Sequence, residues 1–493
     1  MARKLKILLA SPEIYPFAKT GGLADIVGVL PKALHSMGHD IRVIMPKYKC
    51  VDTAKFKIQK HPAEIKVPIG KVKKTGELFE YMLNRTIPSY FIGNDDYYHR
   101  DSLYGTASGD FPDNAERYIF FCRAVLEACK ALSFQPDIIH CHDWQSGLIP
   151  AYLKTLYAGD EFFKNTRTVF TVHNLGYQGN FWHFDVPLAN LPWEAFTPDG
   201  LEFYGKLSFM KSGLVYADNL TTVSPTYGKE IRTAEFGFGM DGILRSRAKN
   251  LHGILNGADY EEWDPKHDPR IKAKYGPKSL KGKLACKKAL IRTYSLHVDE
   301  KTPILCMVTR LSQQKGLDLV MEGIDQMMSS GVAFIILGNG DVSYQKFFTS
   351  LASQYKGKFA CKIDFNETIA HQIIAGSDII LIPSQYEPCG MTQIYGMKYG
   401  TVPVVRAVGG LQDTVTEFNS KTCKGTGFKF KPFDTKHYLK AVQKAVTVFK
   451  NQRQWLRLMA NDMAQDFSWH ISAAKYSQLY IKTLGKKPVK PLG

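Results

Sequence analysis

Short runs of aliphatic and β-branched residues recur along this chain, each closed by a polar residue and followed by a turn or a helix start. KILLA, at residues 6 to 10, hands over through a lysine and two glycines to a helical pattern over residues 22 to 37. There Leu23, Ile26, Val27, Leu30, Leu34 and Met37 share one face at three- and four-residue steps, with Pro31 expected to kink it. DIRVIMP, PDIIHCHDW, RTVFTVHN and NLTTVSP continue the alternation, and Ser224 and Pro225 read as an N-cap and a first helical residue. After a lysine-rich stretch near residue 275 the grammar restarts with TPILCMVTR, VAFIILGNGD, SDIILIPSQYEP and TVPVVRAVGG. Alternation of this kind builds parallel sheets covered by helices.

A chain of 493 residues exceeds what one core usually organises. The expected fold class is therefore α/β, with two doubly wound Rossmann-like domains and an interdomain cleft. The first domain is expected over 1–255, completed by a C-terminal helix over 468–485, and the second over 258–467. Residues 486–493 are expected to be a disordered tail. The joint falls in HGILNGADYEEWDP, near Asn256 and Gly257.

Composition excludes several classes. The chain is 44% hydrophobic and 22% charged, and no apolar run approaches the ~18 residues of a membrane span. The basic start MARK is followed by an apolar run that stops at Pro12 and Glu13, so ILLA reads as a strand and the protein as unsecreted. Nine cysteines with no C-x-x-C pair argue against a disulfide framework and a zinc site, and fit a reducing, cytoplasmic location. The formal charge of +18 reads as a solvated lysine surface, with weak attraction to anionic polymers as the competing interpretation and no specific nucleic acid expected.

In open parallel sheets ligands bind beyond the carboxyl ends of the strands. Lys19, His142, Asp143, Trp144, His173, Asn174, Arg310, Lys315, Asn339, Gly340, Asp341 and Glu387 all fall at such ends. Cations beside glycines that open helices, at Gly21-Gly22 and Gly409-Gly410, suit an anion, and two cations suit a diphosphate. Carboxylates at the other ends suit sugar hydroxyls. No metal-ligand cluster is evident, since H-C-H-D over 140–143 alternates faces on a strand.

KTGGLAD, HDW, TVHNLGYQG, VSPTYGKEI, FGFGMDG, ILNGAD, TRLSQQKG, LGNGD, EPCGMTQIYGMKYG and GGLQDTV occur in the order found in bacterial glycogen and starch synthases. The resemblance runs from about residue 5 to about residue 480. It implies a retaining glucosyltransferase of the B-type glycosyltransferase fold, with ADP-glucose as donor substrate and an α-1,4-glucan, a glycogen primer, as acceptor. It implies no cofactor, no metal and no membrane partner. The residues leave the oligomeric state open.

Carried over residue by residue, the resemblance implies catalytic roles for His173, Asp143, Arg310, Lys315 and Glu387. Arg310 and Lys315 would hold the diphosphate, and Glu387 would meet the donor glucose. His173 and Asp143 would lie beside the reacting sugar. Lys19 and Gly22 would bind the sugar nucleotide through a turn read by backbone amides. Asn174, Asn256, Gly340, Cys389, Gly390 and Thr392 complete the substrate contacts, and a helix starting near Met391 would aim its N-terminus at the phosphates. Trp144 and Tyr98 would stack on glucan. Each has a plain competitor: a structural histidine at 173, a helix N-cap at 143, a surface lysine at 19, a solvated turn at 310 and 315, core packing at 144 and 98, and space filling at 389. The wider superfamily's E-x7-E places an acid where this chain has Tyr395, a departure shared with bacterial synthases. Two other functions stay open: a related transferase using UDP-glucose or another acceptor, and a non-catalytic carbohydrate- or nucleic-acid-binding protein.

Overall fold

The structure, a computed structural model, describes residues 3–106, 108–364 and 366–485. The expected disordered tail, 486–493, lies outside them. The chain divides into two compact units. The first comprises the described residues up to 223, residues 228–257 and those from 469 onward; the second comprises 224–227 and 258–468.

The first unit is built on a nine-stranded sheet. In chain order its strands are β1 (Lys6–Ala10), β2 (Asp40–Pro46), β3 (Gln59–Ile69), β4 (Val72–Leu83), β5 (Ile87–Gly93), β6 (Ile138–His142), β7 (Arg167–Val172), β8 (Asn219–Thr222) and β9 (Leu251–Gly253). They lie in the order β9-β8-β7-β6-β1-β2-β5-β4-β3. Seven strands run parallel, and β3 and β4 add an antiparallel hairpin at one edge. The parallel strands are buried on both faces, as β6 illustrates with five buried residues in a row. The hairpin instead alternates: Ile65, Val67 and Ile69 face inward while Lys66 faces solvent. Much of the basic run between residues 47 and 74 is thus the wet side of an edge hairpin, which a search for βα alternation passes over.

The helix after β1 spans Gly22–Ser36 and continues through Pro31, burying Ala24, Ile26, Val27, Leu30 and Leu34. The C-terminal helix, Trp469–Leu484, belongs to this unit. Ser472 donates to the Leu255 carbonyl at 2.6 Å, Ser477 pairs with His39 at 2.8 Å, and Tyr480 pairs with His140 at 2.8 Å.

The second unit carries six parallel strands: β10 (Ile304–Val308), β11 (Ala333–Gly338), β12 (Phe359–Ile363), β13 (Ile379–Ile382), β14 (Val402–Arg406) and β15 (Phe428–Phe430). Their order, β12-β11-β10-β13-β14-β15, reverses between β10 and β13. That reversal is where an open sheet offers a crevice, and Arg310 and Glu387 follow the two strands that flank it. The tetrapeptide 224–227 joins this unit although its neighbours in sequence do not. Ser224 caps the helix Pro225–Glu230 by accepting from the Tyr227 amide at 2.8 Å, as the sequence predicts. Thr226 donates to both Asp413 carboxylate oxygens, from its amide at 2.9 Å and its hydroxyl at 2.5 Å. Among the described residues no helix is long and apolar enough to cross a membrane.

Candidate active site

In the first unit the turn between β1 and its helix is organised by Glu13, which is only 3% exposed. Its carboxylate accepts from the Thr20 amide and hydroxyl, and from the Tyr104 hydroxyl at 2.6 Å. Lys19 is thereby presented on a fixed loop, its ammonium 2.7 Å from Asp25 and 5.5 Å from the centre of the Tyr15 ring. A side chain built at Gly21 or Gly22 meets no atom of the chain within 4 Å. Packing among the described residues therefore does not demand glycine at these two positions. SPEIYP gives no spacing signal for Glu13, so its role is visible only in three dimensions.

At the ends of β6 and β7, Asp143 and His173 meet. Asp143 sits at φ 55°, a conformation that costs a non-glycine residue of order 1 kcal/mol and that recurs at functional sites. Its carboxylate accepts from the His173 amide at 2.7 Å. Removal from water pushes the Asp143 carboxyl up to about 7, outweighing the His173 and Asn174 amides that favour its ionised form. The His173 ring is 8% exposed and burial lowers its pKa to about 3, so it is neutral. Its Nε2 lies 2.9 Å from Nδ1 of His142. Asn174 uses its side-chain oxygen on the Gly176 amide at 3.0 Å. Asn256 is 3% exposed, and its side-chain oxygen has no hydrogen-bond partner among the described residues.

Two expectations in this unit need correction. Tyr98 is fully buried, its hydroxyl donating to the Arg117 carbonyl at 2.9 Å, so no ring face is open to a glucan. Trp144 is 9% exposed and packs edge-on to Tyr118 at 4.9 Å, and Gly179 lies so close that a Cβ there would be 2.3 Å from the indole. Both rings are core. Alternation along β6 separates Cys141 from its neighbours but puts His140 and His142 on one face, with ring centres 4.1 Å apart, so the two histidines do come together. Among the described residues no three His, Cys, Asp or Glu side chains converge as metal ligands do.

In the second unit the loop after β10 and the loop after β13 are zipped together. Gln385 donates from its amide to the Gln314 carbonyl at 2.8 Å, and Gln314 returns a side-chain bond to Tyr386 at 3.2 Å. Gly316, at φ 69°, allows this, because a Cβ there would lie 2.0 Å from the Pro383 carbonyl. The result is a formed ion pair: Lys315 Nζ stands 2.7 Å from Glu387, which also accepts from Ser384 at 2.8 Å. Arg310 lies exposed beyond the end of β10. Gly340 is explained by packing, since a Cβ would sit 2.2 Å from the Leu311 carbonyl.

The E-P-C-G turn lies directly on the start of the helix Gly409–Thr414. A Cβ at Gly409 would be 1.9 Å from the Glu387 carbonyl and one at Gly410 would be 2.1 Å from that of Cys389. The Gly410 amide donates to the Glu387 carbonyl at 3.1 Å, so it is spent within the chain and is not the anion-facing donor that a helix-opening glycine suggests. This glycine pair is spent on holding Glu387 in place. Cys389 is buried, Gly390 turns at φ 69°, and Thr392 opens the helix Thr392–Lys398, which has no side-chain cap. Tyr395 stacks on Trp263 at 4.1 Å, and Trp263 stacks in turn on His371 at 3.6 Å. The position that carries an acid in the wider superfamily is here a layer of an aromatic stack.

These features define the class: a glycosyltransferase with two Rossmann-like units and its polar residues at their strand ends. Residues 6–246 match the family described as "Starch synthase catalytic domain" and residues 294–456 match "Glycosyl transferases group 1". The chain is similar to the solved catalytic domain of starch synthase IV from Arabidopsis thaliana, with a TM-score of 0.91 and 32% identity, covering 98% of this chain and 100% of that one. It shares only the fold with sucrose-phosphate synthase from Thermosynechococcus elongatus, at 17% identity and a TM-score of 0.60, covering 97% and 99% of the two chains. It is 45% identical to the glycogen synthase of Syntrophotalea carbinolica, covering 97% of this chain and 99% of the relative. It is 46% identical to that of Desulforudis audaxviator, covering 98% and 97%. The chain belongs to the glycogen and starch synthase family.

Proposed function

We propose that this protein transfers glucose from ADP-glucose to the 4-hydroxyl at the non-reducing end of an α-1,4-glucan, with retention of configuration, in the cytoplasm. The observation that carries this proposal is likeness over nearly the whole chain to glycogen synthases, with the strand-end cations and acids intact. The adenine nucleotide is supported by the ADP bound in the solved starch synthase, which also holds acarbose. The sugar nucleotide is consumed as a substrate, and no cofactor is required.

In the reaction the bond from the anomeric carbon to the diphosphate breaks, and a bond to the acceptor O4 forms on the same face. The acceptor's proton passes to the departing phosphate. Arg310 and Lys315 stabilise the charge that develops on the leaving group. Glu387, held by Lys315 and Ser384, accepts from donor hydroxyls. Asp143, about half ionised near pH 7, and the neutral His173 serve the transferred sugar as acceptor and donor for its hydroxyls. The purified protein is tested with glycogen and labelled ADP-glucose or UDP-glucose. Label incorporated into glycogen from ADP-glucose, and released by an α-1,4-specific amylase, supports the proposal; incorporation only from UDP-glucose, or into no glucan, rejects it.

A further inference from the structure

His140, His142 and His173 form a row of buried imidazoles across β6 and β7, and each is neutral. Burial lowers the pKa of His140 and of His173 to about 3, and that of His142 falls well below the ordinary histidine range. A neutral imidazole carries one N–H, and the partner of one nitrogen dictates where it sits. His142 Nδ1 and His173 Nε2 are 2.9 Å apart, so one donates to the other. His142 Nε2 and His173 Nδ1 are both buried without a hydrogen-bond partner among the described residues. Either way, one of these two outer atoms holds an N–H with no acceptor in the protein.

The two arrangements are not equivalent. If His173 donated, the stranded N–H would be on His142, which is fully buried in strand β6 beneath the His140 ring at 4.1 Å. A sealed, unpaired donor there keeps its full desolvation cost. If His142 donates, the spare N–H is on His173, which lies in the loop beyond β7 with its amide on Asp143. His173 keeps 8% exposure against 0% for His142, so although Nδ1 of His173 is itself closed to water here, it is the His173 ring that a bound molecule can approach and supply with an acceptor. The His142 backbone is fixed for this task by pairing within the sheet and by Ser146, whose hydroxyl donates to the His142 carbonyl at 2.9 Å.

We infer that His142 is a positioning residue that donates from Nδ1 to Nε2 of His173, fixing His173 as the Nδ1–H tautomer and reserving that N–H for an oxygen of the bound sugar. The inference rests on the proposed function only for the identity of the acceptor. The structural pairing stands by itself.

The test is long-range 1H–15N correlation spectroscopy of the intact protein labelled at histidine. His173 should show a protonated Nδ1 and a bare Nε2; a protonated Nε2 on His173 overturns the inference. In His142→Leu, His173 should lose this fixed pattern, and kcat should fall roughly 10- to 100-fold, as when an orienting partner is lost. His142→Asn, whose amide can donate from nearly the Nδ1 position, should restore both, which a merely space-filling role at 142 does not explain. Retention of the Nδ1–H pattern in His142→Leu also overturns the inference. If that variant fails to fold, the wild-type and His142→Asn spectra decide. If the tautomer changes while kcat holds, His142 still sets the ring, and it is the link from His173 to the reaction that fails.

Discussion

The C-terminal ends of β6 and β7 hold buried imidazoles neutral, with His140 and His173 near 3, beside the Asp143 carboxyl, which is raised to about 7 and so is about half ionised at neutral pH. The loops after β10 and β13 hold a formed ion pair instead, Lys315 against Glu387 at 2.7 Å, with Arg310 exposed nearby in sequence. One set of strand ends offers neutral imidazoles and a carboxyl half ionised near pH 7, and the other offers a fixed ion pair. Neutral imidazoles suit sugar hydroxyls and cations suit a diphosphate, while Glu387 adds to the charged set a carboxylate that suits hydroxyls. The same fold, used twice, is thus polarised by what sits within a few residues of each strand end.

The largest effects should come from the charged half. Arg310→Ala and Lys315→Ala are each expected to lower kcat by roughly 10²-fold or more, the usual loss when a preorganised charge-stabilising donor is removed. Their stabilities should differ. Arg310 is exposed, where water screens any pairing it makes, and its loss should change unfolding free energy by no more than ~1 kcal/mol. Lys315→Ala leaves Glu387, 7% exposed, with its charge uncompensated, at about 1–3 kcal/mol. Urea unfolding of both variants checks the contrast, which fails if the two midpoints coincide.

The glycines sharpen the comparison. Gly340→Ala drives a Cβ to 2.2 Å from the Leu311 carbonyl and should cost about 2 kcal/mol or more. Gly22→Ala meets no protein atom within 4 Å, so its melting temperature should hold while its KM for the sugar nucleotide rises. A destabilised Gly22→Ala with normal KM would make that turn a structural feature only.

Much of this was legible in the sequence, for physical reasons that also mark where legibility ends. Buried parallel strands are continuous apolar runs, so β1, β6, β7, β10, β11, β13 and β14 stand out, and the residues that close them are candidates by position. Ser224-Pro225 announces its helix because a cap acts within three residues. The β3–β4 hairpin is hidden because edge strands alternate and its lysines resemble a solvated run. Glu13 is hidden because its partners, Thr20 and Tyr104, come from different distances along the chain. Tyr98 misleads because an aromatic beside a motif looks the same in sequence whether its ring is open or sealed. The Gly409-Gly410 pair shows a related ambiguity: its motif was legible, but its use in seating Glu387 depends on a carbonyl more than twenty residues away.

Acidification should test the neutral half. Two rings at about 3, against ~6.5 in an unfolded chain, contribute stability that is full above pH 6.5 and lost as pH falls toward 3. Asp143 acts in the opposite sense: raised to about 7 from ~3.9, its contribution is full below pH 4 and lost as pH rises through 7. The rings outweigh the single carboxyl, so stability should fall from pH 6.5 to 5. His173→Asn should remove one ring's share, about 2 kcal/mol at pH 5, and flatten the profile. An unchanged slope in that variant would mean that the ring is not held neutral.

The smallest expected effect is at Tyr98. Tyr98→Phe removes one buried hydrogen bond and should cost about 1 kcal/mol while leaving KM for glycogen unchanged. A raised KM would reopen a glucan contact at that position.

The division of labour between the two halves is tested most directly by titrating ADP calorimetrically into the wild-type protein and four variants. The proposed function assigns the charge-assisted bonds to phosphate to the second unit, so Arg310→Ala and Lys315→Ala should each weaken ADP binding by roughly 10- to 100-fold. Asp143→Asn and His173→Asn should bind ADP as the wild type does while losing turnover. Equal weakening in all four variants, or weakening confined to the first-unit pair, would contradict the account.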